Sequence, residues 1–478
     1  MLLFCLSAQA ASYYFVDSGT RAMARGGAFV VGADDQSAQY YNPAALGNID
    51  RPMLNFNLWA VKQAVTFDRA DEPGDDGALG TADDLKLAAV ENGAPPIIEP
   101  TGGFVMPIRA TPEDFRTTVA LGLYLPSSPL VQYPVDGAQR YALTDALIWQ
   151  VYAGPSVAQR ITRYVTIGAG LQYTFMRVEQ GLAATACFTD ATCLTAGDDP
   201  NNDITLRLDT WDKMQWSGNF GVIVHPTPWL SVGGAVQPPI SYSAPGSMTA
   251  SFTEEFTFAG ELNALSTSDP EVLLEVQVPL IVRSGVQVTP NDKVRVEADF
   301  VWTNWSTMDA FHVKSLDLTV EDNPDKPLLQ DDIVVHDAVD FITGFQDAWS
   351  IRVGGDWKPT PALQLRAGAH YETSAVAPEY LTVVVTDGSK VGFGLGATYH
   401  VGQRLAFDVG FAEQIIFKQE VTNSKYQLQA LKTEVVPPYN TDVLPGKVVG
   451  NGTFKANTTF VSLGATVYFG EAEDGKGS

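Results

Sequence analysis

The stretch "YVTIGAGLQYTF", residues 164–175, decides how the rest of the chain is read. Val165, Ile167, Ala169, Leu171, Tyr173 and Phe175 fall on one face of an extended strand, and Thr166, Gly168, Gly170, Gln172 and Thr174 on the other. The same rhythm returns in "KVGFGLGATYH" (390–400) and in "FVSLGATVYF" (460–469). Val391, Phe393, Leu395, Ala397 and Tyr399 alternate there with glycines and Thr398; Val461, Leu463, Ala465, Val467 and Phe469 alternate with Ser462, Gly464, Thr466 and Tyr468. A half-buried sheet in a soluble sandwich alternates too. Two features favour a membrane wall. The second face carries glycine, serine and threonine where a solvated face would carry lysine and glutamate, and the segments reach the roughly ten residues needed to cross a bilayer at a steep tilt. Trp229, Trp349, Trp357, Tyr399, Tyr468 and Phe469 stand at segment ends, the places of interfacial aromatic girdles.

The connections alternate as regularly as the residues. "QRITRY", "HPTPWL", "TPNDKV", "KPTPAL" and "HVGQRL" are tight, whereas 68–96, 181–203, 307–345 and 421–454 are long. Short turns on one side and long loops on the other are the pattern of an outer-membrane barrel. About fourteen strands are expected, at 52–67, 97–108, 115–125, 145–160, 163–179, 204–225, 229–245, 271–289, 292–306, 346–358, 362–374, 388–400, 404–419 and 455–469. The fold class is therefore all-β, a transmembrane antiparallel β-barrel over 51–470 with a C-terminal tail at 471–478.

Composition agrees. Of 478 residues 45% are hydrophobic and only 18% charged, with 42 glycines, and no continuous apolar run is long enough for a helical span. The net charge of −25 and the lack of a basic patch exclude nucleic acid as a partner. Residues 1–10, "MLLFCLSAQA", read as the residue of a signal peptide ending in Ala8-Gln9-Ala10, without the basic start such signals carry; a lipoprotein reading of Cys5 fits poorly beside Phe4. Cleavage there leaves Cys187 and Cys193, either a disulfide closing a small loop in an oxidising compartment or two unpaired thiols.

If the apolar face meets lipid, the other lines the lumen, where charges cost little. Arg283, Arg295, Glu297, Asp299, Arg352, Asp356, Gln364, Arg366, His370, Glu372 and Asp408 all fall on it. Two readings follow: a mutually neutralising network that braces the wall, or a site where Arg352 and Arg366 attract a carboxylate passing through. No catalytic constellation is present; the 5 histidines are scattered, with no HExxH, GxSxG or P-loop. No cofactor is expected. The one metal-like stretch is "DEPGDDGALGTADD" (71–84), where Asp75, Asp76, Asp83 and Asp84 either form a solvated acidic loop or offer oxygen ligands to calcium, without EF-hand spacing.

Residues 11–50 break the rhythm. They are small-residue-rich, and they end in "SAQYYNPAALGNID" (37–50). Such a segment suits a plug inside a wide barrel. Proline fixes the backbone at position 43 and bars a ladder bond, and Asn42 can hydrogen-bond its own turn. "SGTRAMARGGAFVVGADDQSAQYYNPAAL" resembles the N-terminal hatch of the FadL family, outer-membrane transporters of long-chain fatty acids and other hydrophobic compounds. The resemblance extends through 140–173, 301–311 and 450–469. It implies a hatch whose Asn42-Pro43-Ala44 element takes part in gating. It also implies passive, ligand-driven transport and sideways release at a kink in the third strand. Pro126 and Pro129 in "LYLPSSPLVQYP" (123–134) are candidates to break the ladder there, or simply end the strand. Departures are the nine residues after Phe469, the acidic insertion and the cysteine loop. The partners implied are fatty acids or hydrocarbons and outer-membrane lipids, with a monomer as the expected state. Competing readings are an adhesin or structural surface barrel with cation-binding acidic loops, and a secreted soluble β-protein.

Overall fold

The computed structural model describes residues 18–74, 76–108, 115–127, 129–186, 200, 203–252, 266–268, 271–308, 310–315, 318–321, 333–335, 338–342, 344–427, 430–431 and 447–470. The expected signal segment 1–10, the first plug residues 11–17, Asp75, Cys187, Cys193 and the tail 471–478 lie outside the described residues.

Fourteen antiparallel wall strands close on themselves. They are β1 Met53–Arg69, β2 Ile97–Ile108, β3 Thr117–Ser127, β4 Asp145–Thr162, β5 Val165–Ala186, β6 Asp203–Thr227, β7 Leu230–Gln237 with Ile240–Phe252, and β8 Glu271–Val278 with Ile281–Asn291. The rest are β9 Val294–Thr303, β10 Ala348–Thr360, β11 Leu363–Glu372, β12 Lys390–Val401, β13 Leu405–Val421 and β14 Gly452–Tyr468. Closure is made by β1 and β14, paired without a break from Met53↔Tyr468 to Arg69↔Gly452. Closing the sheet leaves no free edge in lipid, where an unpaired backbone group has no water to turn to.

The alternation is borne out residue by residue. Along β1 Leu54, Phe56 and Leu58 are exposed to the outside, while Met53, Asn55, Asn57 and Trp59 are buried within. Leu121, Phe220, Leu395 and Leu463 belong to the same outer band. The expected inward set also holds: Arg283, Glu297, Asp299, Arg352, Asp356, Gln364, Arg366, Glu372 and Asp408 are buried.

Differences from the expected strands lie at the long-loop end. β5 runs to Ala186, beyond the expected 179, because its ladder with β6 continues through Gly181↔Arg207 to Thr185↔Asp203. Pro238-Pro239 and Pro279 divide β7 and β8, since proline brings no N–H to a ladder. The expected loop 307–345 contains Ala310–Ser315, which pairs with β8, and Ala338–Ile342, which pairs with Ala310–Ser315, so that the wall is raised on that side.

Candidate functional site

Residues 18–48 fold inside the barrel, nearly all buried, as two short helices, Thr20–Ala24 and Ala38–Tyr41, and a 3-10 helix, Pro43–Asn48. Segments this short do not stand alone, so the wall must hold them. It does so differently on its two sides.

The first half of the plug is fastened by charge. Arg25 lies 2.6 Å from Glu297 and 3.3 Å from Asp356, with all three side chains buried. Arg21 reaches Asp408 at 3.1 Å and Asp34 at 3.2 Å, and Asp34 meets Arg295 at 2.6 Å. Arg366 pairs with Asp356 at 2.9 Å. Two wall carboxylates also clamp plug backbone: the amides of Phe29 and Val30 donate to Asp299 Oδ2 at 2.8 and 3.0 Å, and those of Val31 and Gly32 donate to the two oxygens of Glu297. Both oxygens of Glu297 are thereby satisfied without water, whereas Asp299 accepts on Oδ2 alone and its buried Oδ1 has no hydrogen-bond donor among the described residues. The plug backbone also lies directly on wall glycines. A Cβ at Gly368 or Gly394 would strike the carbonyl oxygen of Arg25 or Met23, which explains the glycine-rich inner face of β12.

The second half is held by neutral contacts against β3 to β6. Gln39 donates to Ser156 Oγ at 2.8 Å, and Asn219 donates to the Gln39 carbonyl at 2.5 Å. Asn42 caps the 3-10 helix, its Oδ1 accepting from the Ala44 amide at 3.0 Å, while its Nδ2 reaches the Val222 carbonyl at 3.4 Å. Pro43 starts that helix, where its missing N–H is no loss, and Pro43-Ala44 backbone lies against Gly168. Tyr40 packs edge-on against Tyr124 of β3 with ring centroids 5.1 Å apart, and Tyr124 stacks on Tyr152 of β4 at 5.3 Å.

Beside those tyrosines the wall is incomplete. β2 and β3 pair from Ile108↔Thr117 up to Gly102↔Leu123 and no further. β2 continues to Ile97 bonded only to β1, while β3 follows β4. Leu125 and Pro126 fall at a register shift between Tyr124↔Tyr152 and Ser127↔Gln150. Beyond Pro129, whose carbonyl accepts from Ile148, the strand resumes along β4 at Leu130–Gln132. The two prolines thus interrupt a strand that goes on. Glu99 and Thr101 of β2 face inward at this height and Ile98 faces lipid.

A roof closes the other end. Residues 374–387, between β11 and β12, bury Ala375, Val376, Leu381, Val383, Val384 and Val385. Lys390 fastens this loop to the wall, 2.6 Å from Asp387 and 3.2 Å from Glu372, and Arg352 reaches Glu372 at 3.4 Å. Arg352 and Arg366 therefore both sit inside the lumen and both face wall carboxylates, one under the roof and one beside the plug. Sequence reasoning missed the roof, whose "LTVVVTD" run (381–387) has no alternation, and the plug's Arg21, Arg25 and Asp34, whose partners on the wall lie hundreds of residues away.

The acidic loop makes its own turns. Asp84 accepts from the amides of Gly80 and Thr81, Asp83 from the amide of Asp76, and Asp76 from that of Ala78. Among the described residues no three His, Cys, Asp or Glu side chains converge as a metal site.

Known proteins resemble this arrangement. Residues 1–460 match the family described as outer membrane protein transport protein (OMPP1/FadL/TodX). A putative outer membrane protein of Neisseria meningitidis serogroup B is 21% identical over 85% of this chain and 86% of its own. A match to a 47 kDa outer membrane protein of Pasteurella multocida, 35% identical, is confined to 80 residues, 16% of this chain and 18% of that protein. Among solved structures, a Pseudomonas aeruginosa FadL homologue superposes with a TM-score of 0.72 at 16% identity, covering 96% of this chain and 100% of that one. The Pseudomonas putida toluene transporter TodX gives 0.61 at 14% identity, covering 98% and 99%.

Proposed function

The chain belongs to the outer-membrane transport protein family of FadL and TodX, channels for hydrophobic compounds, and we propose that it carries long-chain fatty acids or other hydrophobic compounds by binding them above the plug and releasing them sideways through the wall. It is an outer-membrane barrel and a transport channel, not an enzyme. The observation that carries the sideways route is the ladder that stops at Gly102↔Leu123 while both strands continue. The plug fills the lumen below, so a straight path would require its expulsion. A sideways path requires only that its neutral half, next to Tyr124, give way.

The energetics favour that exit. An acyl chain leaving an apolar pocket for lipid loses little, whereas entering water costs about 0.8 kcal/mol per methylene. The ligand's own gradient then suffices as the drive. Asn42 and Pro43 fix the corner that must shift. Replacing both (Asn42→Ala with Pro43→Gly) is expected to cut uptake of labelled long-chain fatty acid or alkane several-fold, with heat-modifiable migration and surface level unchanged. Equal uptake at equal surface level would overturn this mechanism.

A further inference from the structure

The ladder beside β3 is not the only one that breaks. β6 and β7 pair up to Phe220↔Val236, and again from Thr210↔Gly246 to Ile204↔Phe252, in the same register on both sides. Between these stretches residues 211–219 face 237–245 with no ladder pair, nine residues on each strand. Both strands stay attached to their other neighbours. β6 follows β5 through Leu171↔Gly218 and Met176↔Asp212, and β7 follows β8 through Gln237↔Ile281 and Ile240↔Val278. The result is a closed-ended seam within the wall. Pro238, Pro239 and Pro245 stand on its β7 side and bring no N–H to it. It lies four strands round from the β2–β3 gap. The two openings begin about equally far from the short turns, after Leu123 of β3 and Phe220 of β6.

Unpaired backbone at membrane depth is tolerated only where protein or a water-lined cavity satisfies it. Asp212, 5% exposed, supplies the protein part. It accepts from the Ser243 amide across the seam at 2.8 Å, and on its own strand from the Met214 amide at 3.2 Å and the Gln215 side chain at 2.8 Å. The lumen side is polar: Gln172 of β5 and Gln237 of β7 are buried with no side-chain amide atom hydrogen-bonded among the described residues, and so is Asn219 Oδ1. The lipid side is apolar, with Trp211, Met214 and Trp216 exposed. The plug's neutral half borders this seam as it borders Tyr124, because Asn219 donates to the Gln39 carbonyl and Asn42 reaches the Val222 carbonyl just below.

We infer that the β6–β7 seam is a second lateral window, latched by Asp212, through which an apolar compound passes between the lumen and outer-membrane lipid without using the gap beside β3. The inference rests on the transport reading above and adds a separate route to it. No ladder pair has to break for this window to widen. The Asp212–Ser243 bond gives way, and the flexible Met214 between two tryptophans accommodates what passes.

The test measures uptake of radiolabelled hexadecane and hexadecanoate by whole cells at matched surface level. Lys213 and Ser243 are exposed and opposite one another in the register of the flanking pairs. Lys213→Cys with Ser243→Cys, in a chain whose Cys5, Cys187 and Cys193 are replaced by serine, can be stitched with a short bis-methanethiosulfonate and released by reduction. Stitching should lower uptake and reduction should restore it. Asp212→Ala should raise uptake severalfold, since losing one charge-assisted hydrogen bond shifts a two-state equilibrium by about tenfold, and stitching should cancel the gain. With the plug untouched, Asp212→Ala should stay silent in planar bilayers; steady conductance would mean that the plug has been lost and would overturn the latch. Should Asp212→Ala fail the heat-modifiability check for assembly, Asp212→Asn, which keeps a weaker acceptor, carries the same comparison with a smaller rise. Uptake unchanged by stitching overturns the window while leaving release beside β3 standing. A wild type that takes up neither probe overturns the transport reading itself.

Discussion

The two halves of the plug are equally buried and differently held. Residues 20–35 are tied by buried ion pairs and carboxylate clamps to β9, β10 and β13. Residues 36–48 rest on β3 to β6 through amide hydrogen bonds, a tyrosine pair and glycine contacts. Breaking a buried ion pair by removing one partner costs about 3–5 kcal/mol, because the other charge is left stranded. Losing a neutral hydrogen bond costs about 1 kcal/mol. The plug is thus built as a fixed half and a yielding half, and the yielding half is the one beside the open ladder.

The largest expected effect comes from the fixed half. Glu297→Ala removes the nearer of the two carboxylates of Arg25, leaving only Asp356, and at once both acceptors of the buried Val31 and Gly32 amides. It should destabilise the plug by about 3–5 kcal/mol and release it from the wall. In planar bilayers the wild type should be silent and the variant should conduct steadily. A silent Glu297→Ala barrel would mean that the ion pairs do not fasten the plug.

A second test separates charge from fit. Gly394 has no room for a Cβ because the Met23 carbonyl occupies the space, so Gly394→Val pushes the plug inward without touching any ion pair. Overpacking of this kind typically costs about 1–3 kcal/mol, less than losing Glu297. Intermittent rather than steady conductance is the expected result. Steady conductance equal to that of Glu297→Ala would show that close backbone contact, not charge, holds the fixed half.

How far these features could be read from the chain alone follows from the same physics. β2 appears at Ile97–Ile108, where alternation and turns place it, because one slip in register would turn every apolar side chain from lipid to lumen. The inward charges were legible for the same reason. Their partners were not: Arg25 and Glu297 are 272 residues apart, and no local pattern joins them. The roof escaped because its valines are buried on all sides and carry no period. The gap escaped because it is a missing pairing between two strands that each read normally; only Pro126 and Pro129 marked it. Arg283 could be placed inward from β8, but that its Nε and Nη2 find no acceptor among the described residues is visible only once every neighbour is in position.

The smallest effect should come from Gln39→Ala, in the yielding half. The variant loses the bond to Ser156 and the contact with the Gly154 carbonyl, but it keeps the backbone carbonyl that accepts from Asn219. About 1 kcal/mol is expected, too little to free a plug whose other half is still ion-paired. The barrel should stay silent in planar bilayers and unfold only slightly earlier in denaturant. Uptake should change in the opposite sense to that of the corner variants. With Asn42 and Pro43 intact the corner still moves as a unit, and a weaker tether lowers the work of moving it, so uptake should hold or rise modestly. A conducting Gln39→Ala barrel would erase the distinction between the halves, since it would mean that a single neutral contact secures the plug as firmly as the Arg25–Glu297 pair.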